Sequence, residues 1–300
     1  RGPGEYLQPD GIWPLAADSS LLVDLGNNRL TVVAPSGALG NTTPIMGGGE
    51  AGQVSVMLPG GVDRMGGIYF RGAPGSDSIA LNRFDRGSKQ TTRIATLKAP
   101  DTKRSESGGS NSRSVRMSPV PLAASDGWAV APSGTVYIVR AGNYHVEVVP
   151  RQGARKIGAA VAYQPVKIGE AERKEFSADA GRSGAINISV ENRNGEQTFA
   201  MGRGRAQDDA GPPASLFPPT KPPFDPGQLF VDGKGRLWAR RYQPAGRPAL
   251  YDVFNDQGAL VASVRLPASR QIVGMGAASV YVAAIDEDDL QRLERYALPL

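Results

Sequence analysis

One pattern limits what this chain can become more than any other: two short apolar runs joined by a Gly/Asn turn and closed by a Pro-x-Gly or Asp-x-x-Gly turn. Leu21–Leu25 and Leu30–Ala34 flank Gly26-Asn27-Asn28, and the second run stops at Pro35-Ser36-Gly37. Gly and Asn tolerate the positive φ of a tight hairpin. The grammar returns at Val62–Gly67, Ile68–Phe70, Ser78–Leu81 and Phe84–Gly87. It is clearest at Trp128–Gly134, Thr135–Arg140, Ala141–Asn143 and Tyr144–Val149, closing at Pro150–Gly153. A fourth copy runs Leu229–Gly235, Arg236–Arg240 and Leu250–Phe254, with a turn at Asn255–Gly258. The fifth has Ile272–Met275, Ser279–Ile285, an acidic turn at Asp286–Asp289 and a last strand expected over Gln291–Leu298.

Short β-rich runs with regular turns suit a sandwich or a barrel as well. Self-similarity decides between them, because a sandwich has no reason to repeat one unit five times. In the third and fourth units the two turn glycines are 19 and 23 residues apart (134 to 153, 235 to 258). Units restart roughly every 40–65 residues, near the length of a propeller blade. A four-stranded sheet cannot bury its own faces, so copies must stack about an axis. The expected fold is an all-β propeller in one domain over 1–300, with five recognisable units.

Two intervals break the rhythm. Asp101–Arg116 has no apolar residue before Val115 and reads as a flexible polar loop. The insertion 154–228 contains a short-helix candidate at Ile168–Phe176, a hairpin formed by Ile186–Val190 and Gln197–Met201, and a proline-dense tie from Gly211 to Gly227.

Composition narrows the chemistry. Among 300 residues there is no cysteine, which removes disulfides, thiolate catalysis and Cys-based metal or iron–sulfur sites. The excess of 34 basic over 29 acidic residues, net +5, favours acidic partners only weakly. The longest apolar run, near Val280–Ile285, is too short to span a bilayer. The chain opens at Arg1 within a turn-rich stretch, which reads as a processed or truncated amino terminus.

With Gly2-Pro3-Gly4-Glu5-Tyr6, Asp24–Arg29, Pro35-Ser36-Gly37, Gly233–Trp238 and Asp286–Tyr296 in view, the chain resembles bacterial six-bladed β-propellers of the NHL-repeat type. The resemblance covers most of 1–153 and 225–300. It implies six blades and an export or lipoprotein signal with a further blade ahead of the Gly-Pro-Gly-Glu stretch. The 186–201 hairpin is an alternative source of the sixth.

Each candidate for chemistry has a plainer reading beside it. His145 is the only histidine, and the strand period puts it on one face with Glu147, opposite Tyr144, Val146 and Val148. Same-face neighbours are about 7 Å apart along a strand, so a structural histidine is expected rather than a general base oriented by Glu147. One histidine excludes sites with two or three, and no Gly-x-Ser-x-Gly elbow accompanies it. Calcium-dependent lactonases and gluconolactonases are also six-bladed propellers with carboxylates in the channel. Asp24, Asp63, Asp126, Asp232 and Asp252 recur near blade turns, where an aspartate commonly caps the turn with its own side chain. A calcium site would need 6–8 oxygens converging from several blades. Asp286–Asp289 lacks the glycine and spacing of an EF-hand loop.

Gly47–Gly52 lacks the Lys-Ser/Thr of a phosphate loop. Met201–Arg205 with Lys103, Arg104, Arg113 and Arg116 forms a candidate basic patch, as on RNA-binding propellers of this type. It has no interleaved aromatics, so solvated loops are the expectation. Trp13, Trp128 and Trp238 hold equivalent early-strand positions and suit packing between blades.

The resulting expectation is a non-enzymatic, exported propeller. It would serve as a protein-binding scaffold or accessory subunit of an extracytoplasmic assembly, including one held at a membrane, with no cofactor. Interaction candidates are Phe217, Lys221, Pro222, Pro223 and Phe224 in the proline-rich tie, together with Lys103, Arg104, Arg113 and Arg116. The alternative is a calcium-dependent lactonase or hydrolase with carboxylates in the channel.

Overall fold

The structure, a computed structural model, describes residues 5–48, 54–75, 77–109, 112–183, 185–193, 196–204, 212–286, 288 and 290–299. It is all-β, with a single α-helix of 14 residues among the described residues. Five antiparallel meanders form the blades of a β-propeller. The first is β1 (Pro9–Pro14), β2 (Ser20–Asp24), β3 (Arg29–Val33) and β4 (Leu39–Pro44), in that order. A ribbon of β5 (Met46–Gly48) and β6 (Val54–Val56) follows. The second blade is β7 (Gly61–Val62), β8 (Ile68–Pro74), β9 (Ser78–Asp85) and β10 (Gln90–Lys98). Next comes a ribbon of β11 (Thr102–Gly109) and β12 (Ser112–Pro119). The third blade is β13 (Gly127–Val130), β14 (Val136–Arg140), β15 (His145–Val149) and β16 (Lys156–Ile157). Helix α1 (Glu170–Ser183) and the ribbon β17 (Ala185–Arg193)–β18 (Glu196–Gly204) precede the fourth blade. That blade is β19 (Phe224–Val231), β20 (Leu237–Arg241), β21 (Leu250–Phe254) and β22 (Leu260–Arg265). The fifth has three strands, β23 (Arg270–Met275), β24 (Ser279–Ile285) and β25 (Gln291–Ala297).

Several expectations need correcting. Five blades are found where the resemblance implies six, and the ribbon β17–β18, the alternative source of a sixth, pairs only with itself among the described residues. The segment 101–116 is not a loop: Thr102 faces Pro119 and the register continues without a break to Gly109 facing Ser112. Polar residues cannot supply a core, but they do not prevent ladder hydrogen bonds between two adjacent segments. Strand β10 opens on Gln90-Thr91-Thr92-Arg93, with no apolar residue to mark its start in the sequence. The helix starts two residues after its expected start and extends seven past its expected end.

One hairpin device recurs. In Ala34–Ala38, Asp63–Gly67, Ala131–Thr135, Asp232–Arg236 and Asn255–Ala259 the first residue's N–H bonds the carbonyl four residues on. The N–H of the fourth residue, always glycine, returns to the first residue's carbonyl. This is a type I turn closed by a left-handed residue, and the five glycines have φ between +75° and +85°. Pro-x-Gly and Asp-x-x-Gly are two spellings of the same turn.

The chain divides into two compact units: Arg1–Pro74, Ala80–Ala95 and Ser177–Gly211, and then Gly75–Ile79, Thr96–Phe176 and Pro212–Leu300. The first unit has its core in Leu21, Val23, Leu25, Leu30, Ile45, Met46, Met57, Val62, Ile68 and Phe70, with Trp13 packed against it. In the second, one core joins the third and fourth blades through Tyr137, Val139, Tyr144, Val146, Val148, Phe224, Leu237 and Phe254. Another joins the fourth and fifth through Trp238, Tyr251, Val253, Ile272, Val280 and Val282. Alternate residues of β15 enter the core as the strand period requires. Within each unit the blades bury their faces on one another.

Candidate functional site

The five recurring aspartates are buried, and each is held by donors of its own unit. Asp24 accepts from the backbone N–H of Leu7 and Gln8, from Asn27 and from Arg29. Burial pushes its carboxyl up, but Asn27, the two N–H groups and Arg29 outweigh it and hold the group below the usual range. Asp63 takes the N–H of Met65 and Gly67 and the Tyr69 hydroxyl. Asp126 takes the N–H of Lys98 and Ala141 and a 2.7 Å bond from Arg140 Nη1. Asp232 takes the N–H of Lys234 and Arg236, Arg236 Nε at 2.8 Å and Trp238 Nε1 at 2.8 Å. Asp252 takes the Tyr144 hydroxyl, Arg241 Nε and Ser263 Oγ. Among the described residues no three His, Asp or Glu side chains gather as metal ligands would. These carboxylates tie turns and strands together, and their oxygens already face N–H and O–H groups.

His145 has a similar standing. Its Nδ1 meets Asn143 Oδ1, and its Nε2 lies 3.6 Å from Glu147 Oε1, nearer than the strand spacing suggests because side chains lean where Cα atoms cannot. Glu147, however, is gripped by the Arg140 fork at 2.9 and 3.0 Å and by Arg155 at 3.2 Å. Burial raises its pKa, and the Arg140 hydrogen bonds more than reverse that. A carboxylate pinned by two guanidinium groups is a poor orienter for a general base.

The proline-rich tie is a strap on its own protein. Phe217 meets Phe176 edge-to-face at 5.6 Å. Lys221 is 3% exposed; its Nζ bonds Glu175 Oε2 at 2.9 Å and Gln243 O at 3.0 Å, 5.6 Å from the centre of the Tyr242 ring. Pro222 and Pro223 are buried, and Phe224 begins β19 stacked on Tyr144 at 5.7 Å. Of the interaction candidates in the tie, Phe217 is half-buried and Lys221, Pro222, Pro223 and Phe224 are buried against this chain. Lys103 is exposed on β11. The side chains of Arg104, Arg113 and Arg116 and of Met201–Arg205, and most of the Gly47–Gly52 stretch, lie outside what is described.

An open concavity lies elsewhere in the second unit. A cleft of about 690 Å³ is lined by Ala162–Lys167, Glu172, Arg241–Pro244, Leu250 and Arg265. The backbone register builds one wall: Arg241 faces Leu250 and Leu250 faces Arg265 across β20, β21 and β22, so all three side chains share a face. The strap builds another, because Lys221 N–H bonds Val166 O and Ile168 N–H bonds Pro219 O. Under the cleft, buried Tyr144 meets Tyr163 edge-to-face at 6.1 Å and carries Arg241 over its ring at 6.0 Å. Burial, the Asp252 charge and its hydrogen bond push the Tyr144 phenol well up, so it stays a neutral donor.

The charge in the cleft is uneven. Arg241 is paired with Asp252, but Lys167 and Arg265 are exposed and have no carboxylate partner among the described residues. Glu172, the acid in the lining, is held down by the N–H groups of Ala245 and Gly169 against a smaller effect of burial. The cleft therefore offers two uncommitted cations beside Tyr163, Tyr242 and Gln243. None of its cationic residues stood out in the sequence; the one available signal was the equivalent strand positions of Arg241, Leu250 and Arg265.

No family model and no curated protein matches this chain. Among solved structures, virginiamycin B lyase from Staphylococcus aureus aligns over 98% of this chain and 85% of its own, at 11% identity and a TM-score of 0.35. Regucalcin, a calcium-binding protein from Agrobacterium tumefaciens, aligns over 94% and 85% at 12% identity and 0.27. A gluconolactonase from Xanthomonas campestris aligns over 94% and 84% at 13% identity and 0.26. Lyase, calcium-binding and lactonase activities belong to those proteins, and likeness this distant says nothing about the chemistry of this cleft.

Proposed function

We propose that this protein is a binding propeller, not a catalyst, which takes an acidic, extended segment of another protein into the cleft as a subunit of an extracytoplasmic assembly. The observation that carries the reading is the pair of uncommitted cations, Lys167 and Arg265, in a cleft whose Glu172 is engaged by backbone N–H groups. Flat aromatic and proline surfaces beside the charges, Tyr163, Pro165, Tyr242 and Pro244, suit a polypeptide backbone and its apolar stems. The extracytoplasmic setting rests on the family resemblance alone.

The runner-up, calcium-assisted lactone hydrolysis, is disfavoured by the donors that already fill Asp24, Asp63, Asp126, Asp232 and Asp252. The test uses a fluorescein-labelled oligoglutamate peptide and the double variant Lys167→Glu/Arg265→Glu. Anisotropy titration should give salt-sensitive binding to the wild type and at least about a tenfold weaker affinity for the variant, the loss expected when two attractive charge contacts become repulsive. Equal binding by both proteins overturns the assignment of the cleft. Calcium-dependent turnover of a lactone and ester panel by the wild type overturns the non-catalytic reading.

A further inference from the structure

The segment that walls the cleft, Ala162–Lys167, is one side of a small ladder whose other side is the strap. Lys167 and Thr220 stand opposite each other in an isolated antiparallel bridge. Both bonds of the bridge belong to flanking residues, Lys221 N–H to Val166 O at 2.8 Å and Ile168 N–H to Pro219 O at 3.0 Å. This is the non-hydrogen-bonded kind of pair, in which the two opposed residues turn their own N–H and C=O outward. Lys167 therefore directs both groups away from the strap. The cleft lies on that side, because Lys167 lines it and Pro219–Lys221 do not. Among the described residues neither group has a hydrogen-bond partner.

This open edge is short and closed at both ends. Two residues back, Pro165 has no N–H to give and offers only its carbonyl, which is also without a partner among the described residues. Two residues on, Gly169 N–H is taken by Glu172 Oε2 at 3.0 Å, and the other oxygen of that carboxylate takes Ala245 N–H at 3.0 Å. Three groups in a row remain: Pro165 C=O, Lys167 N–H and Lys167 C=O. A proline and a charge at an edge are devices against indiscriminate strand pairing. Here the charge also selects. The Lys167 ammonium repels a basic strand and attracts an acidic one, and Arg265 adds a second cation to the lining.

We infer that the acidic guest of the cleft is held as an added β-strand, its main chain bonded to Pro165 C=O, Lys167 N–H and Lys167 C=O. The inference rests on the assignment of the cleft made above and says how the guest is recognised. Whichever way the guest runs, it donates two N–H groups two residues apart, to Pro165 O and Lys167 O, and accepts once from Lys167 N–H. All three bonds lie on one edge of the guest, and its other edge stays free. Main-chain pairing reads conformation while the cations read charge, so the partner is an unfolded acidic segment and not the acidic face of a helix, whose N–H groups are already used.

Three fluorescein-labelled peptides test this on the full chain by anisotropy: hexaglutamate, hexaglutamate N-methylated at every second residue, and hexaglutamate N-methylated throughout. The alternately methylated peptide keeps one intact edge and should bind within about twofold of the parent, whereas full methylation removes both donors and should cost at least about tenfold. On the protein side, Lys167→Ala and Lys167→Pro lose the same charge, but only the proline loses the N–H and should bind a further threefold or so more weakly. In the wild type, saturation with hexaglutamate should slow amide exchange at Lys167 by at least about tenfold, a readout that does not depend on either variant folding. Hexaglutamate that binds, and is weakened by Lys167→Glu/Arg265→Glu, yet tolerates full methylation or leaves Lys167 exchange unchanged overturns the added strand while the cleft assignment stands. A loss already complete on alternate methylation overturns it too, since both edges of the guest would then be gripped. Failure of the wild type to bind hexaglutamate at all overturns the cleft assignment and the strand together.

Discussion

Asp232 holds four donors at once, two backbone N–H groups, the Arg236 guanidinium and the Trp238 indole, so its loss strands them inside a turn and a core. Asp232→Ala should destabilise the second unit by about 2–3 kcal/mol, the range for leaving buried donors unpaired beside a partly solvated arginine. Asp232→Asn should cost less, since an amide oxygen still serves the N–H groups. Urea unfolding midpoints measure both, and equal effects would contradict this account. That an aspartate at a blade turn binds its own turn is legible in sequence, because Asx chemistry is local. What the sequence hides is the reach to the Trp238 indole in the next strand. The row Arg241–Leu250–Arg265 is hidden for a related reason: eight residues separate β20 from β21, and a connection of that length does not fix register.

At the scale of the element, the turn Asp232–Arg236 separates two demands on glycine. Gly235 has φ +77° and open space around an added Cβ, whereas a Cβ on Gly233 would lie 1.9 Å from the Ala277 carbonyl oxygen. Gly235→Ala should cost about 1 kcal/mol of backbone strain. Gly233→Ala must push two blade turns apart and should lower the melting temperature several times further, as calorimetry would record. The strap teaches another lesson about elements. A run such as Phe217–Phe224 reads the same whether it docks on a partner or on its own chain, because composition states that apolar surface will be covered and not by what. The Lys221–Glu175 pair, joined across 46 residues, is one of the contacts that hold it to its own chain, and no local pattern announces it. The ribbon β11–β12 is not legible in the sequence because its first strand, Thr102–Gly109, has no apolar residue to mark it.

For the whole molecule, the ionisable groups fix a pH window. Asp24, Glu147, Glu172 and Glu294 all have carboxyls held below their ordinary values, Glu294 at about 2 through its Arg270 and Tyr296 bonds. A depressed folded value adds stability that is present above the unfolded value and lost as pH falls through the folded one, so these groups weaken the fold between about pH 4.5 and 2. Tyr137, raised to about 12 by burial, then by Asp256 and Asp232, acts at the other end, as does Tyr251, raised to about 12 by burial. A raised folded value preserves stability below the unfolded value and loses it as pH rises from about 10 to 12. Melting temperature should therefore be flat from about pH 5 to 9 and fall on both sides; a maximum below pH 4 would contradict it. The repeated unit was plain in the sequence at this scale because five turns share one backbone geometry. The number of blades was not, since a count inferred from likeness ignores which strands pair.

The wall that the strap gives the cleft has a thermodynamic corollary. Val166 and Ile168 keep their position by pairing with Lys221 and Pro219, and Lys221 is anchored by its buried ammonium. A guest seated against that wall is linked to the anchor: filling the pocket must slow amide exchange at Lys221 and Ile168, and loosening the ammonium must weaken the guest by the same free energy. In the proposed complex, part of the affinity would rest on a lysine that is not among the residues lining the cleft.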